Sequence, residues 1–200
     1  MTAVKGLTTL GFGEREYEFL TRSQEGGPSS QVSTPTPQEG ESSSQGNKIY
    51  KGAFDITWGN NDNYWKLPAD EKSPAELKRV CWLQVTGKTK VKRGKSYEIE
   101  FNITLKADGF GWNGLPLFLM AKIGAKGKSI WKKIKPLEQT TDNKTFDIPK
   151  PDEKFIVKIP DNKGDEEQDL FFGFYEIWSN KWKGGLLINY ATVKEVSEPN

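Results

Sequence analysis

The sequence predicts an all-β protein, a two-sheet antiparallel β-sandwich with one short helical turn behind a flexible N-terminal arm. Three observations lead to this prediction. From residue 48 onward, short segments alternate apolar and polar residues with a period of two. Clusters of Gly, Asn, Asp and Pro separate these segments. No long segment repeats its apolar residues with helical spacing, and strands at this density are typical of sandwiches.

The first 47 residues are predicted to be a flexible extension and linker. Residues 23–46 contain one large apolar residue, Val32, among Ser, Gln, Gly, Pro, Glu and Thr. Such a segment cannot bury enough apolar surface to offset the entropy lost on ordering. Residues 48–200 are therefore the predicted domain.

The clearest strand is "SYEIEFNITLK", where one face is apolar and the other polar. The apolar face comprises Tyr97, Ile99, Phe101, Ile103 and Leu105. "KFIVKIP" repeats the pattern, with Phe155, Val157 and Ile159 expected to face inward. Further predicted strands are "KIYKGAFDITW", "RVCWLQVTG", "PLFLMAKIG", "DLFFGFYEIW" and "LLINYATVKEV". The helical turn is predicted in "SPAELKR", where Ser73, Pro74 and Glu76 form a capping box.

The composition excludes several classes of function. Lys and Arg number 29 against 27 Asp and Glu, without the basic excess of a dedicated nucleic-acid binder. The absence of His removes Ser-His-Asp and Cys-His catalysis and the commonest zinc ligand. Cys81 is the single cysteine, so no intrachain disulfide forms, and we expect it to be a small buried hydrophobe. We expect no metal and no cofactor.

The apolar segments are too short for a membrane span, and the N-terminus lacks the apolar core of a secretory signal. We therefore expect no membrane span, no secretion by a signal peptide, and a cytoplasmic or nuclear location.

Seven tryptophans provide the first candidate chemistry. "ITWGNNDNYW" places Trp58 and Trp65 at the two ends of a loop-forming run, whereas Trp82 lies among apolar neighbours and is expected in the core. An indole face can stack on the C–H face of a pyranose, and Asn or Asp side chains can bind its hydroxyls. Ordinary core packing explains any single Trp equally well.

Two carboxylates bracket the most hydrophobic strand, "DLFFGFYEIW". Glu176 needs either a cation or hydrogen-bond donors in its apolar surroundings. The alternatives are a solvated position, a pair with Lys, or a bond to a ligand. Asp169 lies seven residues away, so a regular strand points the two side chains to opposite faces. Nothing specifies the acid–base pair of a glycosidase.

A basic run surrounds Trp131. It contains the lysines Lys126, Lys128, Lys132, Lys133 and Lys135. This pattern is compatible with single-stranded nucleic acid or with a nuclear-import patch. A solvated Lys-rich strand face is the more common explanation and is favoured here.

Four segments together resemble the phloem protein 2 family, the Nictaba-type plant lectins. They are "ITWGNNDNYW", "AELKRVCWLQVTGK", "SYEIEFNITLKADGFGW" and "FYEIWSNKWKGGLLINYATVKEV", in that order. The stretch at about 122–165 departs from the family pattern. The resemblance implies jelly-roll character, dimerisation, no catalysis, and a nucleocytoplasmic or phloem-sap location. It also implies binding of N-acetylglucosamine oligomers, as in chitin fragments and the cores of N-glycosylated proteins.

The resemblance also implies site residues. The implied set is Trp58, Trp65, Asp169, Glu176 and Trp182, and the intervening loop adds Asn63 and Tyr64. Either Trp58 or Trp65 is expected to stack on the sugar, and the other to orient it. The alternative function is a phloem RNA- or protein-binding carrier that uses the Lys-rich surface. A glycan hydrolase is a weaker alternative.

Overall fold

The computed structural model describes residues 46–161 and 165–197. Within these ranges, twelve strands and two single turns of 3-10 helix, Lys51–Ala53 and Pro151–Glu153, make up the regular structure. The strands are β1 (Asn47–Ile49), β2 (Phe54–Ile56), β3 (Trp65–Lys66), β4 (Ala75–Leu77), β5 (Leu83–Lys92), β6 (Ser96–Phe110), β7 (Leu117–Ile123), β8 (Ser129–Ile134), β9 (Lys144–Ile148), β10 (Ile156–Lys158), β11 (Glu167–Glu176) and β12 (Gly184–Val196).

The described strands form two antiparallel sheets. In the first sheet the order is β10-β6-β12-β4-β3, with β1 also paired to β12 and β9 also paired to β6. In the second sheet the order is β2-β5-β11-β7-β8. The inner faces of both sheets contribute to one hydrophobic core, so the predicted two-sheet sandwich is confirmed.

Alternation along the long strands places the core between the sheets. The apolar face predicted for β6 is buried along its whole length, and Phe101 contacts the rings of Phe172 and Phe174 of β11. Phe155, Val157 and Ile159 are also buried, as predicted. The period of two therefore identified the inward face of these strands correctly.

The predicted helical turn in "SPAELKR" is wrong. Ala75–Leu77 forms β4, which pairs with β12 on one side and β3 on the other. Ala75 and Leu77 are fully buried whereas Glu76 is partly exposed, which is the two-residue alternation of a strand. Pairing on both sides and burial of two apolar side chains outweigh the local capping preference.

Two expectations about single residues are also corrected. Trp82 precedes β5 and is exposed rather than in the core, and Cys81 beside it is half-buried rather than buried. Trp112, by contrast, lies in the core and donates from Nε1 to the Gly184 carbonyl at 2.8 Å. The predicted N-terminal extension, apart from residues 46 and 47, lies outside the described residues.

Candidate functional site

The turn that follows β2 presents Trp58 to solvent. Trp58 has a φ of 59°, a left-handed conformation that is uncommon for a bulky residue and marks local strain. The N–H of Gly59 donates to the Ile56 carbonyl at 2.8 Å, and the N–H of Asn61 donates to the Trp58 carbonyl at 3.0 Å. The N–H of Asn63 donates to Asn61 Oδ1 at 3.0 Å. These bonds hold the turn on both sides of Trp58, whose side chain is exposed to solvent.

Three aromatic rings lie together at this end of the sandwich. The Trp58 ring centroid is 5.4 Å from that of Tyr64, which is 6.5 Å from that of Trp182. Trp58 is 44% exposed and Trp182 is 53% exposed, while Tyr64 is partly buried between them. We call these three residues the loop-end aromatic cluster. It brings together three of the predicted site residues, from two separate segments of the chain.

Trp65 lies inside the sandwich, not on its surface. Its side chain is 1% exposed, and its Nε1 donates to the Thr57 carbonyl at 3.1 Å. In β3 it lies opposite Leu77 of β4. A buried ring cannot stack on a ligand, so the expectation that Trp65 contacts sugar directly is corrected. Its bond to Thr57 instead supports the turn that carries Trp58.

Glu176 is also buried, and it is paired. Its carboxylate lies 2.5 Å from Lys183 Nζ, and both side chains are fully buried. Ser179 donates to the same carboxylate from its backbone N–H at 3.0 Å and from its hydroxyl at 2.8 Å. Among the alternatives left open by the sequence, the structure therefore shows the pair with Lys. The expected direct contact between Glu176 and a ligand is therefore corrected: the carboxylate is buried and instead holds Lys183 and Ser179 in place.

Lys183 organises the loop between β11 and β12. Its ammonium donates to the carbonyls of Cys81 at 2.9 Å and Lys181 at 3.0 Å, in addition to its pair with Glu176. This places both ends of the loop against the start of β5, with the exposed Trp182 directly before Lys183. Sequence reasoning missed Lys183. The apolar surroundings of Glu176 indicated that it needs a cation or hydrogen-bond donors, but nothing in the sequence identifies Lys183, among the many lysines, as its partner.

The phloem protein 2 family model matches residues 47–194. The chain belongs to the phloem protein 2 family. The resemblance drawn from the four sequence segments is confirmed at this level. Protein PHLOEM PROTEIN 2-LIKE A9 of Arabidopsis thaliana is 41% identical over 150 residues, which cover 72% of this chain and 83% of that relative. PHLOEM PROTEIN 2-LIKE A1 of the same plant is 26% identical over 155 residues, covering 73% of this chain and 60% of that relative.

Among solved structures, one described as "CBM4 structure and function" is 17% identical, with a TM-score of 0.34. The match covers 72% of this chain and 86% of that chain. A likeness at this level carries no argument about function.

In this protein, Asp169 lies far from the loop-end aromatic cluster. It is near the start of β11, seven residues from Glu176, so the strand separates the two by about 23 Å. Asp169 pairs with Lys90 of β5 at 2.9 Å. The hydrogen bond from Lys90 lowers the pKa of Asp169, and the same bond raises the pKa of Lys90. The structure therefore does not bring the two predicted carboxylates into one site.

The predicted lysine patch is spread over several surfaces. Its members are Lys126, Lys128, Lys132, Lys133 and Lys135. The first two lie in the β7–β8 turn, whereas Lys132 and Lys133 are successive residues of β8 and point to opposite faces. Lys135 pairs with Asp152 at 2.8 Å and with Glu153 at 3.8 Å. These five side chains do not form one continuous cationic surface.

Two negative findings apply to the residues that the structure describes. No group of three or more His, Cys, Asp or Glu residues among them could hold a metal ion. None of their helices has the length and hydrophobicity to cross a membrane.

Proposed function

We propose that this phloem protein 2 family member is a non-catalytic lectin, and that the loop-end aromatic cluster binds N-acetylglucosamine oligomers. The observation that carries the proposal is the cluster itself. Two indoles, each about half exposed, flank Tyr64. A strained turn carries Trp58, and Trp182 directly precedes Lys183 of the buried ion pair. Exposed large aromatic rings in contact with one another are unusual in a surface without a ligand.

Polar side chains for the sugar hydroxyls lie in the same turn. Asn60, Asp62 and Asn63 are exposed between Trp58 and Tyr64. Amide and carboxylate groups provide donors and acceptors that fit the hydroxyl and acetamido groups at the rim of a pyranose. The Trp58 or Trp182 indole would then stack on its C–H face.

The proposal is tested by titrating chitotriose into the parent protein and into Trp58→Ala and Trp182→Ala. A shallow site with few stacked rings should bind with a Kd between about 1 μM and 1 mM. Loss of one ring should weaken binding by about threefold to tenfold. Trp82→Ala is a matched control, because Trp82 is 37% exposed and takes no part in the ring contacts of the cluster. If both cluster variants bind like the parent protein, the site is elsewhere.

The remaining expectations extend this proposal. We assign sugar binding to residues 48–200, leave residues 1–47 as the predicted flexible arm, and place the protein in the nucleus, cytoplasm or phloem sap. N-glycosylated proteins are the proposed partners. A weak single site would capture a glycan surface firmly only through two linked copies, so a symmetric homodimer is part of the proposal. Sedimentation analysis tests it, and a monomer that still agglutinates glycan-coated beads would contradict it.

A further inference from the structure

A second group of exposed rings lies on the outer face of the second sheet. The Trp178 ring centroid is 4.6 Å from that of Phe118 and 5.7 Å from that of Trp131, which is 5.0 Å from that of Tyr175. Trp131 is 45% exposed and Trp178 is 38% exposed. We call these four residues the sheet-face aromatic cluster. The ring contacts of the loop-end aromatic cluster involve none of them.

Strand register places this cluster outside the core. Tyr175 of β11 lies opposite Phe118 of β7, and Met120, the next residue of β7 on the same face, lies opposite Trp131 of β8. Gly173 of β11 lies opposite Met120, in the same row as Trp131, and a Cβ there would come within 2.6 Å of the Tyr175 ring. The glycine therefore lets the Tyr175 ring lie flat along the sheet, where it supports the exposed Trp131.

Lysines share this face with the rings. Lys133 of β8 lies opposite Phe118. Two rows away, about 14 Å along the strands, Lys88 and Lys122 lie on either side of Phe171. The Nζ of Lys88 is 6.0 Å from the Phe171 ring centroid. The exposed indoles therefore have Lys133 beside them, and Lys88 and Lys122 lie farther along the strands on the same face.

We propose that the sheet-face aromatic cluster is a second glycan-binding surface, and that its ligand is an oligosaccharide containing uronic acids. The indoles would stack on the pyranose rings, and Lys88 and Lys133 would pair with the carboxylates. The charge of this face is complementary to such a ligand, because among the described residues in the rows from Asp169 to Tyr175 four lysines outnumber two carboxylates; they are Lys88, Lys90, Lys122 and Lys133 against Asp55 and Asp169. A neutral chitin fragment could accept hydrogen bonds from these lysines but would gain no charge pairing, so the surface differs in ligand class from the loop-end aromatic cluster.

The geometry of the indoles favours a sugar over a nucleic acid. The Trp131 and Trp178 rings meet at 78°, forming a corner. A puckered pyranose can place its C–H face on one wall and its rim on the other, whereas a flat nucleobase contacts only one wall. Binding of single strands also relies on a continuous basic groove along the phosphates. Here Lys133 is separated from Lys88 and Lys122 by about 14 Å along the strands, with aromatic rings between them.

The experiment uses the full chain and three probes, a galacturonate tetramer, the same tetramer with its carboxyls methyl-esterified, and an oligouridylate. We expect the acid tetramer to bind, and Trp131→Ala to weaken it by about tenfold. Lys133→Gln and added salt should weaken it by a few-fold, because both reduce the attraction between ammonium and carboxylate. The ester should bind more weakly than the acid, and Trp58→Ala should have no effect.

Three results would overturn the proposal. They are no binding of the acid tetramer at millimolar concentration, loss of its binding in Trp58→Ala rather than Trp131→Ala, and tighter, Trp131-dependent binding of the oligouridylate. Melting curves confirm that the exposed-site variants are folded. Because chitotriose is titrated separately against Trp58→Ala, failure of this second surface is distinguishable from failure of the lectin proposal.

Discussion

Replacing Lys183 by Met should destabilise the protein strongly and also weaken sugar binding. Met is similar in length and apolar, so it fills the space of the lysine stem but leaves the carboxylate of Glu176 buried without its cation. It also removes the donor to the carbonyls of Cys81 and Lys181. The loop that carries Trp182 then loses the contacts that join it to the start of β5.

The magnitude follows from the burial. Both partners of the pair are fully buried, and removing one partner of a buried ion pair costs about 3–5 kcal/mol. For a domain of this size, 1 kcal/mol shifts the melting temperature by about 2–4 °C. Lys183→Met should therefore melt about 6–20 °C below the parent protein.

The assay is thermal unfolding followed by tryptophan fluorescence, with chitotriose titration of the folded variant well below its melting temperature. Lys181→Met is the matched control, since Lys181 is an exposed lysine of the same loop. The double variant Glu176→Met with Lys183→Met should be more stable than Lys183→Met alone, because it leaves no buried charge unpaired. Melting of Lys183→Met within about 2 °C of the parent would refute the reasoning.

The other predictions concern the same surfaces and one carboxyl. Trp65→Ala should lower the free energy of unfolding by about 3–5 kcal/mol, since its ring is buried. Trp58→Gly should weaken chitotriose binding by about threefold to tenfold without lowering the melting temperature, because Gly tolerates the φ of 59° there. Burial raises the pKa of Glu100, and Glu98 and Asp147 add to it, so stability falls as pH rises through that pKa. Glu100→Gln should therefore melt above the parent at pH 7, with the difference gone near about pH 3.5, below the usual Glu pKa. Chitotriose affinity should hardly change with salt in calorimetry, because a neutral sugar releases few counterions; a steep loss would contradict neutral-sugar recognition.

Much of the sandwich could be predicted from the sequence. The alternation in β6 and around Val157 identified inward faces correctly, because a strand directs successive side chains to opposite sides whatever it pairs with. The family could also be predicted, since four segments carry its pattern in order. The capping signal in "SPAELKR" misled, because a local preference of about 1 kcal/mol does not outweigh pairing on both sides of β4.

The sequence by itself determined the period, the charge and the chemistry available to this protein: its strands, its lack of His, and a surplus of aromatic residues near loops. Only the tertiary structure decided which rings face solvent. Trp58 and Trp65 have the same chemistry and similar neighbours, but pairing of β3 with β4 buries Trp65, and a left-handed turn exposes Trp58. The same holds for Glu176, whose partner Lys183 is brought to it by a loop closing between two strands. Exposure and ion pairing depend on contacts between segments that are distant in the sequence, and the residues next to a side chain do not determine which distant segment it meets.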